Sequence, residues 1–312
     1  MKLASVNKVL EKRDRWSIAV YRYDQADSLF SSPPAEQIYF VGERGLRLGK
    51  SYQSVAADPF LFTFGEKLYL FYEVKTDHGH GTVHAQSMSH DGVWTDHGTV
   101  LTEPFHLSYP QVFEVDGQIF MIPEAAQSGT VTLYKAEDFP YCWRACAVLI
   151  HSPLRDPTLL VTHGEGFFLL ATTAEYELKL YHSKAIDRPF SDTGVVVTKD
   201  RSRARCAGGI FKMGGRLIRP TQDCSKVYGE RIHFQDITTI SSSVYIERPL
   251  GLNLHIPGAT WMSRGSHHIS VNKFGNSFFV AVDGRGADSL VNSVALGILR
   301  LGSVFSQKID MS

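Results

Sequence analysis

Apolar residues along this chain come in short bursts broken by glycine, aspartate and proline. The clearest burst is DPFLFTFGEKLYLFYE, Asp58 to Glu73. Its runs Phe60–Phe64 and Leu68–Tyr72 flank a glycine-containing turn and predict an antiparallel hairpin. Because the chain reverses, the start of the first strand and the end of the second fall at one edge, which places Asp58 beside Glu73.

The hairpin recurs. YPQVFEVDGQIFMIPE, Tyr109 to Glu124, aligns with it without a gap, keeping Pro second, Phe fifth, a glycine turn and a final Glu. DPTLLVTHGEGFFLLA (Asp156 to Ala171), AGGIFKMGGRLIRPTQ (Ala207 to Gln222) and HISVNKFGNSFFVAV (His268 to Val282) keep the strand, glycine turn, strand plan. Starts fall near 58, 109, 156, 207 and 267, a period of roughly 50 residues that suits a four-stranded propeller blade. Two further strand candidates follow the hairpins: GTVHAQSMS with GVWTDHGTVL, GTVTLYKA with WRACAVLI, and LKLYHSK with TGVVVT. The N-terminal WSIAVYRY is expected to close the ring beside NSVALGILRL. The predicted fold class is all-β: a five-bladed β-propeller with four-stranded blades, occupying residues 1–312 as a single domain. Two stacked sandwiches also give short strands and turns, but give no reason to repeat one hairpin.

In a propeller the first strands line the central channel, so equivalent starts gather at one mouth. That mouth is expected to collect Asp58, Tyr109, Asp156, the stretch from Arg205 to Ala207, His267 and His268. Second-strand ends add Glu73, Glu124, Gln222 with Asp223, and Asp283, and the register brings Arg155 and Arg219 there too. Acids crowded from separate blades raise one another's pKa values, and the resulting split into a protonated acid and an ionised base is what glycosidic chemistry uses. Structural readings stand beside this one. Aspartate before proline starts strands as a turn-former, the arginines can neutralise carboxylates, and Glu73 and Glu124 can accept backbone hydrogen bonds between blades. His267 and His268 can be packed support, and without a third ligand no metal site is predicted. DHGHGTVH, Asp77 to His84, has zinc-like letters but falls in the loop after a hairpin.

Lys plus Arg equals Asp plus Glu, at 32 each, with no basic run. That argues against a nucleic-acid or anionic-membrane partner. The first residues carry charges within a few positions and the chain lacks a run of about 18 apolar residues, so neither a signal peptide nor a membrane-spanning segment is expected, and the location is expected to be cytoplasmic. Cys142, Cys146, Cys206 and Cys224 fit no zinc spacing and are expected to be reduced, packed thiols. No cofactor is expected.

SYPQVFEVDGQIFMIPE, DFPYCWRACAVLI, RLIRPTQDCSKVYGERI and SRGSHHIS resemble the propeller domain found N-terminal in plant glucosamine inositolphosphorylceramide transferases and in bacterial proteins of surface-polysaccharide synthesis, over about residues 45 to 290. ADPF, RDP and the repeated hairpins resemble the five-bladed propellers of glycoside hydrolase families 43, 32 and 68. The hydrolase resemblance implies that Asp58 is base or nucleophile and that Asp156 orients substrate and tunes pKa values. In the second blade Tyr109 stands where those hydrolases carry an aspartate, and no EC or EGP acid follows. Glu124 is taken as general acid by position, with Glu247 of YIERP behind it.

The expected function is a carbohydrate-active enzyme that cleaves or transfers a glycosyl unit at the propeller mouth, in surface glycan or polysaccharide assembly. Asp58, Glu124 and Asp156 are the expected catalytic carboxylates. Glu73, Tyr109, Arg155, Arg205, Arg219, Gln222, Asp223, Tyr228, Glu247, His267 and His268 are expected to hold a glycan, an oligosaccharide or a sugar nucleotide. The rival from another class is a non-catalytic glycan-binding module on which Tyr109, Tyr228 and Trp261 stack. A protein-scaffold propeller is the third reading, and it does not need crowded acids.

Overall fold

The computed structural model describes residues 14–25, 29–30, 34, 36–41, 53–76, 79–162, 164–252, 256 and 260–287. Their regular secondary structure is almost entirely strand. In chain order these are β1 (Asp14–Tyr23), β2 (Glu36–Val41), β3 (Gln53–Phe64), β4 (Lys67–Thr76), β5 (Thr82–Ser89), β6 (Trp94–Leu101), β7 (Ser108–Val115) and β8 (Gln118–Glu124). Next come β9 (Val131–Asp138), β10 (Cys142–Ile150), β11 (Arg155–Thr162), β12 (Gly166–Thr172), β13 (Leu178–Ser183) and β14 (Ser191–Thr198). The last are β15 (Arg205–Cys206), β16 (Phe211–Met213), β17 (Arg216–Gln222), β18 (Ile232–Ile240), β19 (Tyr245–Pro249), β20 (Ile269–Phe274) and β21 (Ser277–Ala287). Among the described residues no helix is long and apolar enough to cross a membrane.

The strands pair as antiparallel meanders. β7 to β10 form one sheet and β11 to β14 another; β15 and β16 both pair with β17, followed by β18 and β19. The remaining sheet runs β20-β21-β1-β3-β4-β5-β6, with β2 also on β1. Its two halves meet at one parallel register pair, Trp16 with Val55.

The second strands of the second and third hairpins are apolar on both faces because they are covered on both. In β8, Ile119 and Met121 join a core shared with β3 to β6, while Phe120 and Ile122 join a core shared with β11 to β13. The same alternation places Leu169 and Ala171 of β12 toward β8, and Phe168 and Leu170 toward Cys206 of β15. Period-2 geometry explains a near-continuous apolar run: successive residues serve different cores.

The N-terminal strand follows this rule and corrects one expectation. Ile18 and Val20 of β1 pack with Leu68 and Leu70 of β4, while Ala19, Tyr21 and Tyr23 pack with Ile218 of β17 and Phe234 of β18. β1 therefore sits inside a sheet, paired with β21 from Asp14–Ala287 to Tyr23–Phe278 and with β2 on its other side. NSVALGILRL lies outside the described residues, and both edges of β1 are taken by other strands. Asp77 and His78 of DHGHGTVH also lie outside the described residues. The cysteines are free, as expected, but only Cys206 and Cys224 are packed; Cys142 and Cys146 on β10 are exposed.

Candidate functional site

The first three hairpins share a local distortion at their first residue. The antiparallel register slips between Ala57 and Phe60, between Ser108 and Gln111, and between Arg155 and Thr158. Inside each slip the residue before proline has a left-handed backbone: φ is 54° at Asp58, 49° at Tyr109 and 49° at Asp156. A bulge suits proline, which has no N–H to give to a ladder. A positive φ at a residue with a side chain costs about 1–3 kcal/mol and persists only where neighbours hold it.

Carboxylates from other repeats do the holding. Asp58 N–H donates to Asp283 Oδ2 at 3.2 Å, Tyr109 N–H to Asp58 Oδ2 at 3.2 Å, and Asp156 N–H to Glu124 Oε2 at 2.9 Å. Glu124 thus accepts a backbone hydrogen bond between repeats, as its structural reading allowed, and Asp58 does the same.

Around Asp58 the charges alternate. Asp283, fully buried, accepts the backbone N–H of His267 and of His268 on Oδ1, each at 2.9 Å. The His267 ring lies between two carboxylates, with Nδ1 2.5 Å from Asp283 Oδ2 and Nε2 3.8 Å from Asp58 Oδ1. His268 Nδ1 is 3.5 Å from Asp58 Oδ1. Burial works against the imidazolium of His267, but Asp283 and Asp58 outweigh it and raise its pKa. Burial likewise works against the Asp58 carboxylate, and His267, His268 and Arg205 outweigh it, holding Asp58 well below the usual carboxylate range. Asp58, His267 and Asp283 each bring one ligand atom within 4.8 Å of the others, so they are the residues that could hold a cation. His268 is not part of this group, so the two histidines do not form a metal site as a pair.

The second centre is Asp156. Arg205 grips it with two hydrogen bonds, Nε to Oδ2 at 2.6 Å and Nη2 to Oδ1 at 2.8 Å, and Gln222 Nε2 reaches Oδ2 at 3.4 Å. Arg205 Nη2 also lies 3.7 Å from Glu124 Oε2. Burial, with Asp156 adding to it and Arg205 opposing, pushes Glu124 up to about 8. Glu73 is raised well above its ordinary value by burial and by Asp58, and its Oε1 lies 3.5 Å from Nε2 of His106. The cluster therefore sets an Asp58 whose pKa is held down against Glu124 and Glu73, whose pKa values burial raises.

Aromatic rings border it. Trp16 stacks on His267 with centroids 4.0 Å apart, Tyr228 meets His267 edge-on at 5.2 Å, and the Arg205 guanidinium lies 5.2 Å from the Tyr228 ring centre. Tyr228 is 43% exposed, which leaves it surface for a ligand.

Other expected site residues are placed elsewhere. Tyr109 has no exposed surface: its hydroxyl accepts Gly208 N–H at 2.9 Å and bonds Thr158 Oγ1 at 2.7 Å, so it ties repeats together and offers no stacking face. Arg219 is 0% exposed and bound to Glu247 through Nε at 2.8 Å and Nη2 at 2.6 Å, with Tyr245 also donating to Glu247. This buried pair forms a separate centre, which corrects the expectation of Arg219 as ligand anchor and of Glu247 as reserve acid. Asp223 accepts Ser225 N–H and Oγ–H and faces His233 at 3.2 Å, shaping its own turn. Trp261 lies against Gly284 and Gly286 of β21, where a Cβ would collide with it. Arg155 is half-buried at the start of β11. His106 and Trp16 were missed; the first sits in a connecting segment and the second in the N-terminal strand, so neither appears in the repeat.

Residues 47–285 match the family model described as glucosamine inositolphosphorylceramide transferase 1, N-terminal. Glucosamine inositolphosphorylceramide transferase 1 of Arabidopsis thaliana is 32% identical over 269 residues, covering 80% of this chain and 35% of that protein. Its namesake in Oryza sativa subsp. japonica is 32% identical over 240 residues, covering 72% of this chain and 32% of that protein. The chain thus spans about a third of the length of these relatives. Among solved structures, a family 43 β-xylosidase/α-arabinofuranosidase from a compost metagenome aligns with a TM-score of 0.53 at 13% identity, covering 74% of this chain and 90% of that one. An α-L-arabinofuranosidase from Clostridium thermocellum aligns with a TM-score of 0.55 at 10% identity, covering 73% and 82%. At such identity the likeness gives the fold alone, a β-propeller. With its whole repeat region inside the matched span, the chain belongs to the family of the N-terminal domain of glucosamine inositolphosphorylceramide transferase 1.

Proposed function

We propose that the meanders are five four-stranded blades of one propeller domain and that its mouth cleaves or transfers a glycosyl unit. The blade reading is supported by four apolar cores that each lie between neighbouring repeats, including one between β1–β21 and β3–β4, and by a fifth that gathers Phe60, Tyr109, Phe168 and Cys206 from four repeats. It divides the long sheet at the single Trp16–Val55 pair.

The chemical reading rests on one arrangement: Asp58 lies beside His267 and His268, which hold its pKa down, while Glu124 lies beside Asp156 and Arg205 with its pKa raised to about 8. Glu124 gives its proton to the leaving oxygen as the glycosidic carbon–oxygen bond breaks. Asp58 takes a proton from the attacking water or sugar hydroxyl, so the pair ends with its protons exchanged. Arg205 keeps Asp156 and Glu124 in register while this happens. The relatives' name supports a glycosyl donor or acceptor of the glucosamine or inositol class. Glycan assembly in the cytoplasm belongs to the same proposal, checked by fractionating cells that express the tagged chain.

A binding module is the second reading. It is favoured by the backbone hydrogen bonds that Asp58 and Glu124 already accept, which give both acids a structural task. A thermal-shift screen of sugar nucleotides and oligosaccharides finds the ligand. Turnover of that ligand, abolished in Glu124→Gln, is the expected result; a ligand bound without any turnover would move the protein to the binding class.

A further inference from the structure

A cleft of about 450 Å³ lies between the 200–203 loop and the strands β18 and β19. Its volume is in the range of about 300–1,000 Å³ typical of small-molecule sites. Its polar lining is Asp200, Ser202 and Arg203 from the loop and His233 and Gln235 from β18, and Leu252 supplies apolar wall.

Gln235 is the unexplained residue. It is 3% exposed, on a strand whose neighbours Phe234 and Ile237 are core, yet its Oε1 has no hydrogen-bond partner. Buried amides are normally matched, so an unmatched one that lines a cleft points to a partner that enters from outside. Across the cleft Arg203 Nε is also unmatched by a hydrogen bond, although it faces Asp200 Oδ2 at 3.4 Å.

The charges select the ligand. Arg203 is balanced by Asp200, and His233 by Asp223 at 3.2 Å. A phosphate or carboxylate would meet Asp200 with no cation left over. A neutral ring with several hydroxyls suits the set: hydroxyl hydrogens for Gln235 and Asp200, hydroxyl oxygens for Arg203, and ring carbons for Leu252.

We propose that this cleft is a second glycosyl-binding subsite, taking a neutral, hydroxyl-rich sugar or cyclitol unit of the same ligand that occupies the mouth. The proposal rests on the glycan reading above. Chain continuity links the two sites: Arg203 is two residues from Arg205, and Asp223, the partner of His233, follows Gln222, which reaches Asp156.

The test uses methyl glucoside, N-acetylglucosamine and myo-inositol as probes in saturation-transfer NMR titrations of the full chain. At least one probe is expected to bind the wild type. Gln235→Leu, which removes the unmatched amide at nearly constant volume, should weaken that probe about tenfold, the loss of one hydrogen bond. Arg203→Ala, at a half-exposed position, should do likewise, and it serves if Gln235→Leu fails to fold. Glu124→Gln should leave this binding unchanged. Binding lost only in Glu124→Gln would put the probe in the mouth and overturn the cleft while sparing the mouth reading. Equal affinity in wild type, Gln235→Leu and Arg203→Ala, or no binding of any probe to the wild type, would overturn it as well.

Discussion

Arg205 and Asp156, separated by 49 residues in sequence, form a two-point ion pair in which both groups are almost fully buried. Such a pair is costly to break from one side, because the abandoned charge stays in the low-dielectric interior. Arg205→Met should cost about 3–5 kcal/mol in urea denaturation. Adding Asp156→Leu should recover much of that loss, since it removes the orphan charge. A wild-type midpoint for Arg205→Met alone would mean that solvent reaches Asp156 and that the pair is not a keystone between repeats.

Gly208 takes the place in the fourth repeat that proline has in the first three, and its φ is 128°. A Cβ there would lie 1.9 Å from the carbonyl oxygen of Ile269. The clash is with backbone, and it falls where Ile269 N–H donates to Ala207 and where Gly208 N–H donates to Tyr109. Gly208→Ala should therefore destabilise by about 1–3 kcal/mol or more. An unchanged melting temperature would show that the fourth and fifth repeats are not held this closely.

The repeat was legible because its markers are backbone requirements: glycine at each hairpin turn and proline at the bulges that open the first three hairpins. Side-chain direction was not. Register alone brought Arg219 to the same edge as Gln222, but the two residues lie three apart on β17, so the alternation of a strand turns them to opposite faces. Gln222 reaches Asp156, while Arg219 turns to Glu247. Tyr109 was legible as a position and not as a role, since nothing in YPQVF shows that its hydroxyl spans to Thr158 and Gly208.

The thiols separate by burial. Cys142 and Cys146 are exposed on β10, whereas Cys206 and Cys224 are buried. A thiol reagent under native conditions should modify two groups quickly, and denaturant should release the other two. Four fast thiols in the native protein would contradict the packing around Cys206.

Glu124 predicts a pH dependence with a definite sign. Its folded-state pKa of about 8 stands above the unfolded value, so the native state holds a proton that the unfolded chain gives up in between. The contribution is fully present below the unfolded pKa of about 4.3 and is lost as pH rises through the folded one. Glu124→Gln keeps an oxygen for Asp156 N–H and does not titrate. Its stability relative to wild type should rise with pH across that window and level off above about pH 8. A difference that is flat from acid to alkaline pH would show that Glu124 titrates in the fold as it does in the unfolded chain.

Asp58→Asn distinguishes structural support from catalysis at the same carboxyl group. Asparagine keeps an oxygen that can accept Tyr109 N–H, so the left-handed backbone at Tyr109 should survive and the melting temperature should change little. What disappears is the negative charge between His267 and Arg205. His267 still has Asp283 at 2.5 Å, so the ring should not need to move. If Asp58 accepts the proton of the attacking hydroxyl, turnover of the screened ligand should fall by about 100-fold or more with a modest change in affinity. In a binding module the same variant has no turnover to lose and shows only the affinity change. Wild-type turnover in Asp58→Asn would leave this carboxylate the task of holding Tyr109 and move the search for the base to the rest of the cluster.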